Sequence, residues 1–439
     1  MIAELYSAHI NGLNGQYAEA LEQSRVEADG VLLHSGVEHH YFADDRGIAF
    51  QAYGHFLHWL DVNRPNQFVL IRPDRKPVYY QVIPADFWYE QEVETDPLWH
   101  DTFEVVRLDS LSALQLALPA GEFVYCGESP GIAEQLGIPS RLLNPTTLLH
   151  ILDFNRAYKS EYELVQLRDA NRLALIGHEA ARECFLAGGS EYDIHMAYLS
   201  ACKQLEDEMP YTNIVALDEK AAILHYQNKR RTMINESQVL LIDAGYRVRG
   251  YGSDITRTTA RDSAHPVFQS LLQGMEKIEQ QLVSEVAPEK SYVDIHLSAL
   301  RQIGELLVEL EICNGDSEEL LVENVPHLFM PHGVGHLLGI NVHDVGGHQK
   351  NVDGDTHVPP EHSPMLRNTR TMAENMVFTI EPGCYFIPLL LEPERESERG
   401  KNINWSLIDQ LYAFGGIRIE DNVRVTTDGV ENLTRSPAS

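Results

Sequence analysis

The sequence predicts an α/β chain with α+β character, a small N-terminal α/β domain followed by a larger second domain. Three observations carry this. The first third alternates a helix-patterned stretch with short apolar runs bounded by turn residues. A helix-start signal near residue 160 opens a long amphipathic stretch, and from about 237 the pattern changes to strands that each carry a lone carboxylate. The boundary is placed to give domains 1–157 and 158–439.

Residues 3–28 have a helical pattern. VLLHSG (31–36), FVLIRP (68–73), VYYQVI (78–83), FEVVRL (103–108) and FVYCGE (123–128) read as strands. Three of the four tryptophans, Trp59, Trp88 and Trp99, fall in this part, as expected of a domain with its own core. Ser160-x-x-Glu163 is a capping-box signature, and Leu164, Leu167, Ala170, Ala174, Gly177, Ala181 and Cys184 then recur at helical spacing. Gly188-Gly189 stops that helix, and Ser190-x-x-Asp193 caps the next. The segment 391–402 is charged and turn-rich, a loop.

The chain has 439 residues, of which 44% are hydrophobic, and a mean hydropathy of −0.25, values of a globular protein with room for two or three domains. Its formal charge of −31 repels phosphate backbones and anionic membranes, so no nucleic-acid or membrane partner is expected. Five dispersed cysteines without a CxxC pair read as free thiols in a reducing cytoplasm. The start, MIAELYSAHINGLNGQ, has no signal-peptide pattern, and no apolar run approaches the ~20 residues of a membrane helix.

The chemistry lies in carboxylates set among apolar residues. Asp243 ends the run VLLIDAG, and Asp254 follows eleven residues later in GSDITRT, so a strand–turn–strand unit would bring the two together. Glu381 is embedded in VFTIEPGCYF. In GGIRIEDNVRVT, period-two alternation puts Arg418 and Glu420 on one strand face. Taken singly, Asp243 and Asp254 read as well as strand ends facing water, and for the strand of Arg418 and Glu420 a surface strand with a cross-face ion pair is the favoured reading. Together they form a set of four, with the histidine-rich segment MPHGVGHLLGINVHD (330–344) between the second and third. Two aspartates, two glutamates and one histidine balance two divalent cations. So oxygen-rich a set favours Mn²⁺, with Co²⁺ or Zn²⁺ as alternatives. A zincin helix is excluded, because HExxH would need Glu where Gly333 stands.

The ordered motifs IDAG, SDITRT, PHGVGHLLG, TIEPG and GIRIED resemble those of the pita-bread metallopeptidases, the family of methionine aminopeptidase, aminopeptidase P, prolidase and creatinase. NIVALDEKAAILHY, VHDVGG, LRNTRTM, EPGCYFIPLLL, INW and FGGIRIEDN narrow the resemblance to the Xaa-Pro dipeptidase and organophosphorus acid anhydrolase branch, over nearly the whole chain. The resemblance implies a pita-bread catalytic domain with two divalent metal ions on Asp243, Asp254, His336, Glu381 and Glu420, of which Asp254 and Glu420 bridge. It implies hydrolysis of Xaa-Pro dipeptides to free proline by a bridging water or hydroxide. Glu381 would move the proton, and His343 or His225 would serve the oxyanion.

His332, Arg418, Arg367 and Tyr211 would meet the substrate, although Arg418 reads as readily as a salt-bridge partner of a metal-binding carboxylate. Thr256 would orient Asp254. Asp45 and Trp88 would reach the site of the other subunit of a homodimer. The glycines of 330–344 would let the backbone approach a small peptide. The alternatives are organophosphate triester hydrolysis as the main reaction, aminopeptidase P-like cleavage of longer peptides, and a non-catalytic peptide-binding module.

Overall fold

A computed structural model describes residues 2–88, 97–233 and 236–435. The chain forms two compact units, Met1–Arg156 with Ser160–Tyr162 and Asn351–Asp355, and Ala157–Lys159 with Glu163–Lys350 and Thr356–Ser439.

In the first unit, helix α1 (Ile2–Ser24) buries Tyr6, Ile10, Leu13, Tyr17, Ala20 and Leu21, one face at three-to-four spacing. It ends four residues short of the expected 28, where Arg25 takes a φ of 55°. The five expected strands all form: β1 (Gly30–His34), β2 (Gln67–Ile71), β3 (Val78–Val82), β4 (Glu104–Leu108) and β5 (Phe123–Cys126). They make one mixed sheet in the order β4-β3-β2-β1-β5. β1, β2, β3 and the edge strand β5 are buried throughout, and β4, the other edge, is the one with exposed positions.

The second unit opens on α2 (Glu161–Leu186) and α3 (Glu191–Cys202). At the start of α3 the expected reciprocal cap is present. The Ser190 hydroxyl accepts from the Asp193 amide, and the Asp193 carboxylate accepts from the Ser190 amide. The strands that follow are short: β6 (Ile214–Leu217), β7 (Val239–Asp243), β8 (Arg247–Val248), β9 (Tyr251–Gly252) and β10 (Thr256–Ala260), then β11 (Val377–Ile380), β12 (Gly383–Tyr385), β13 (Gly416–Arg418), β14 (Asp421–Val425) and β15 (Val430–Asn432). β7 lies between β6 and β10, antiparallel to both, and β14 lies between β11 and β15.

The strand expected over 415–426 is broken, for a physical reason. β13 pairs with β12, Glu420 alone bridges to Thr256, and β14 then pairs with β11. The neighbouring chain does the same in reverse. β11 pairs with β14, Glu381 and Pro382 intervene, and β12 pairs with β13. Each glutamate therefore sits where its strand changes partner, free of regular pairing on both sides.

Two amphipathic helices, α4 (Pro266–Glu285) and α5 (Tyr292–Glu309), supply most of the core behind these strands. Phe268, Leu271, Met275 and Leu282 of the first join Ile295, Leu300, Ile303 and Leu307 of the second, with Phe378, Ile380, Ile417 and Val423 from the strands. No helix among the described residues is long and apolar enough to cross a membrane. All five cysteines are free thiols.

Segment 330–344 is irregular, as its glycines predict, but those glycines serve the chain itself. Gly335 has a φ of +152°, and a Cβ there would lie 2.2 Å from the Tyr292 hydroxyl and 2.3 Å from the Thr379 carbonyl. At Gly333 a Cβ would meet the Leu366 backbone, and at Gly339 the Asp344 carboxylate. These contacts hold the segment in place, and Gly333 and Gly335 also stand in the wall of a cavity. Replacing Gly335 with Ala is expected to destabilise the domain by about 3 kcal/mol, from left-handed strain plus overpacking. Urea denaturation of the metal-free chain measures this, and a change under ~0.5 kcal/mol would contradict the packing account.

Candidate metal centre

β7 delivers Asp243 as its last residue, in register with Thr256 of β10 on one side and Ile214 of β6 on the other. Asp254 lies just before β10, its amide donating to the Asn422 side chain at 3.0 Å. The expected closeness of the two aspartates is present, with the β8–β9 ribbon as the turn. Glu381 and Glu420 enter from the two partner-switching breaks. The Glu381 amide donates to Val334 O at 2.8 Å and the Glu420 amide to Thr256 O at 3.0 Å. Thr379 ties in the histidine segment, its amide donating to His336 O and its hydroxyl accepting from the His336 amide.

The result is a set of interlocking trios. Ligand atoms of Asp243, Asp254 and Glu420 lie within 4.8 Å of one another, as do those of His336, Glu381 and Glu420, and those of Asp254, His336 and His343. Asp243, Asp254, His336 and Glu420 are buried, and Glu381 keeps only 17% of its side chain exposed. The His336 ring is oriented by its own neighbour. Nδ1–H donates to Leu337 O at 3.0 Å, so Nε2 is aimed at Asp254, 3.3 Å away, and Glu381, 3.7 Å away, and against the effect of burial these carboxylates raise the affinity of the ring for a proton.

This donor set fits divalent cations. Asp243 Oδ2 is held by Arg418, while its buried Oδ1 has no hydrogen-bond partner and faces the cluster. Burial, and then the neighbouring carboxylates, raise Glu420 well above the usual carboxylate range, and burial likewise raises Asp243 and Glu381. Burial also pushes Asp254 upward, but the hydrogen bond and charge of His336 outweigh it and Asp254 lies below its ordinary value. Such a cluster, short of positive charge, is what a metal site provides for its ion.

Arg418 is buried, and its fork is fully engaged. Nη2 donates to Asp243 at 2.5 Å, Nε to the Thr256 hydroxyl at 3.0 Å and Nη1 to the Tyr385 hydroxyl at 3.0 Å. Of the two roles the sequence left open, the geometry displays the salt bridge. Thr256 differs from expectation. Its hydroxyl donates to Glu420 Oε2 at 2.7 Å rather than to Asp254, because the Thr256–Glu420 bridge sets the two side chains side by side. Tyr385, which sequence reasoning missed, also donates to His332 Nε2 at 2.9 Å. His332 Nδ1 donates to Gly333 O at 2.7 Å, so both ring nitrogens are engaged.

A cavity of about 180 Å³ opens over the cluster. Besides the five clustered residues and Arg418, it is lined by Leu224, His225, His332, His343, Met365 and Arg367, among others. The His343 ring meets that of His336 edge to face at 4.3 Å, and desolvation, with the charges of His336 and Arg367, lowers its pKa to about 4. Tyr211 stands beside Asp243 and Asp254 with its hydroxyl buried, outside the cavity lining. Asp45 and Trp88 belong to the first unit, where both are exposed and Trp88 packs on Phe87 at 4.7 Å. Leu224 and Met365, ordinary apolar residues in loops, carry no signal in the sequence.

Comparison with known proteins agrees with this geometry. The profile of metallopeptidase family M24 matches residues 165–427, and that of the Xaa-Pro dipeptidase N-terminal domain matches residues 4–154. The chain is 42% identical to the Xaa-Pro dipeptidase of Pseudoalteromonas atlantica over 441 residues, which covers 99% of this chain and 98% of that protein. It is 40% identical to the Xaa-Pro dipeptidase of Shewanella woodyi over 437 residues, with the same coverage. Among solved structures, Escherichia coli aminopeptidase P in a low-pH form superposes with a TM-score of 0.74 at 21% identity, covering 99% of this chain and 96% of that one. An aminopeptidase of Pseudomonas aeruginosa gives 0.73 at 22%, covering 97% and 96%. These likenesses establish the fold as an N-terminal α/β domain followed by a pita-bread domain. With the relatives matched over their full length, the chain belongs to metallopeptidase family M24, on its Xaa-Pro dipeptidase branch.

Proposed function

We propose that this chain hydrolyses Xaa-Pro dipeptides and releases free proline. The observation that carries the reading is the buried constellation of Asp243, Asp254, His336, Glu381 and Glu420 beneath a cavity of only about 180 Å³. That volume is below the roughly 300–1,000 Å³ of drug-sized sites and suits a dipeptide better than a longer chain. The five residues would hold two divalent cations, Mn²⁺ by the chemistry of the donors. When bound, the cations supply Lewis-acid polarisation of the scissile carbonyl and acidify a water.

The residues divide the remaining work. Glu381 takes the proton of the attacking water and returns it to the departing proline nitrogen, which cannot leave as an amide anion. His343 is held neutral by its lowered pKa and offers one N–H to the oxyanion, with His225, also in the cavity lining, as the alternative donor. Arg367 faces the free carboxylate of the dipeptide, with His332, its ring nitrogens held by Gly333 O and Tyr385, lining the pocket, while Arg418 fixes Asp243 and Tyr211 backs the two aspartates. Asp45 and Trp88 would complete the site of a second copy in a homodimer, in a cytoplasmic enzyme.

With Mn²⁺ added, the chain is expected to turn over Ala-Pro and leave Ala-Pro-Ala intact, read by proline release. Equal cleavage of the tripeptide would overturn the dipeptidase reading in favour of aminopeptidase P. A phosphotriester turned over with a higher kcat/KM than Ala-Pro would make the organophosphate reaction primary. Within the site, His336→Ala is expected to lose a metal ion, whereas His343→Ala keeps both and lowers kcat by about 10²–10³-fold. Metal analysis beside steady-state kinetics separates the two, and loss of metal from His343→Ala would contradict this division.

A further inference from the structure

Glu191 is the first residue of α3 and is completely buried. Its carboxylate accepts five hydrogen bonds. Oε1 takes the Leu217 amide at 3.1 Å, Arg230 Nε at 2.9 Å and Arg230 Nη2 at 2.7 Å. Oε2 takes the Tyr226 hydroxyl at 2.9 Å and the Arg230 amide at 2.7 Å. Arg230 Nη2 also donates to Leu217 O at 2.9 Å, and the Tyr192 amide donates to Arg230 O at 3.2 Å. A carboxylate taken out of water costs several kcal/mol, so one this fully satisfied is being used to hold something.

What it holds is the loop from the end of β6 to Arg230. Leu217 marks one end of that loop and Arg230 the other, and both bind the same carboxylate. The loop's opening turn is fixed separately, by Asp218 Oδ1 accepting the Gln238 and Val239 amides at 2.7 and 2.9 Å. Between the two anchors lie Leu224 and His225, both lining the metal cavity. His225 is exposed, and among the described residues none hydrogen-bonds its ring. Its placement therefore comes from the backbone, and the adjacent Tyr226 is buried and tied to Glu191.

We propose that Glu191 is a positioning residue for turnover, its carboxylate clasping Arg230, Tyr226 and Leu217 so that His225 stands at the mouth of the metal cavity. Glu191 touches neither substrate nor metal ligand and acts through the loop. The proposal rests on the part given to His225 above, and a double-mutant cycle keeps the two distinguishable.

The test uses the full chain loaded with Mn²⁺ and Ala-Pro as substrate. Glu191→Gln is expected to lower kcat/KM roughly 10- to 100-fold, the scale of a misplaced contact. Metal content is expected to stay unchanged, and the amides of Leu217 and Arg230 to exchange faster with deuterium. In a His225→Ala background Glu191→Gln is expected to cost nothing further, because its route is already cut. Arg230→Lys, which keeps the charge and loses the fork, is expected to fall between wild type and Arg230→Met. If Glu191→Gln fails to fold, Arg230→Lys runs the same cycle. Full, independent losses in the double variant would overturn the clasp and leave His225 its role. A silent His225→Ala would overturn both.

Discussion

Asp243, Asp254, Glu381 and Glu420 bring four carboxylates together out of water, against one guanidinium and one imidazole. Burying like charges costs several kcal/mol per ion unless opposite charge is supplied, and Arg418 with His336 supplies too little. Protons make up part of the deficit in the metal-free chain, which is why Glu420, Glu381 and Asp243 hold theirs above the ordinary range. Two divalent cations would make up the whole of it. The catalytic domain is arranged around that exchange of protons for metal.

The fold meets the constraint through short strands that change partners. A long regular strand would satisfy its backbone by pairing and leave its side chains alternating between two faces. Here β11–β12 and β13–β14 each break once, at Glu381 and Glu420, and the breaks aim both glutamates at the end of β7. Groups outside the cluster then fix its members. Thr256 donates to Glu420, Arg418 to Asp243 and Asn422 to the Asp254 backbone, and the amide of Leu337's neighbour, His336, is held by Thr379. Tyr385 links Arg418 to His332, so the carboxylate end of the site and the histidine segment form one hydrogen-bonded unit.

Much of this was legible in the chain. The strands of the first unit are continuous apolar runs and form where expected, and the Ser190–Asp193 cap forms as its spacing implies. The acids on apolar strands, Asp243 and Glu381 among them, pointed to a site only as a set of four, because each alone reads as well as a water-facing strand end. The choice of His336 among three neighbouring histidines came from the family resemblance alone. What stayed hidden depends on pairing between distant segments. The partner of Thr256 lies 164 residues away, and Tyr385 reads as a core aromatic until β12 sets it beside Arg418. Glu191 looks like an ordinary acidic residue in a first helical turn, and only the return of the chain at Arg230 gives it another use.

The most direct measurement of the central claim is the number of protons released when the metal-free chain binds Mn²⁺. It can be obtained by titration calorimetry near pH 7 in buffers of different ionisation enthalpy. Ligation requires carboxylates without protons, and in the metal-free chain burial, with the neighbouring carboxylates, strengthens the hold of Glu420 on its proton. The account predicts net proton release on binding, and an apparent affinity that falls as the pH is lowered. Stoichiometric Mn²⁺ binding with no proton release, at an affinity independent of pH, would contradict it.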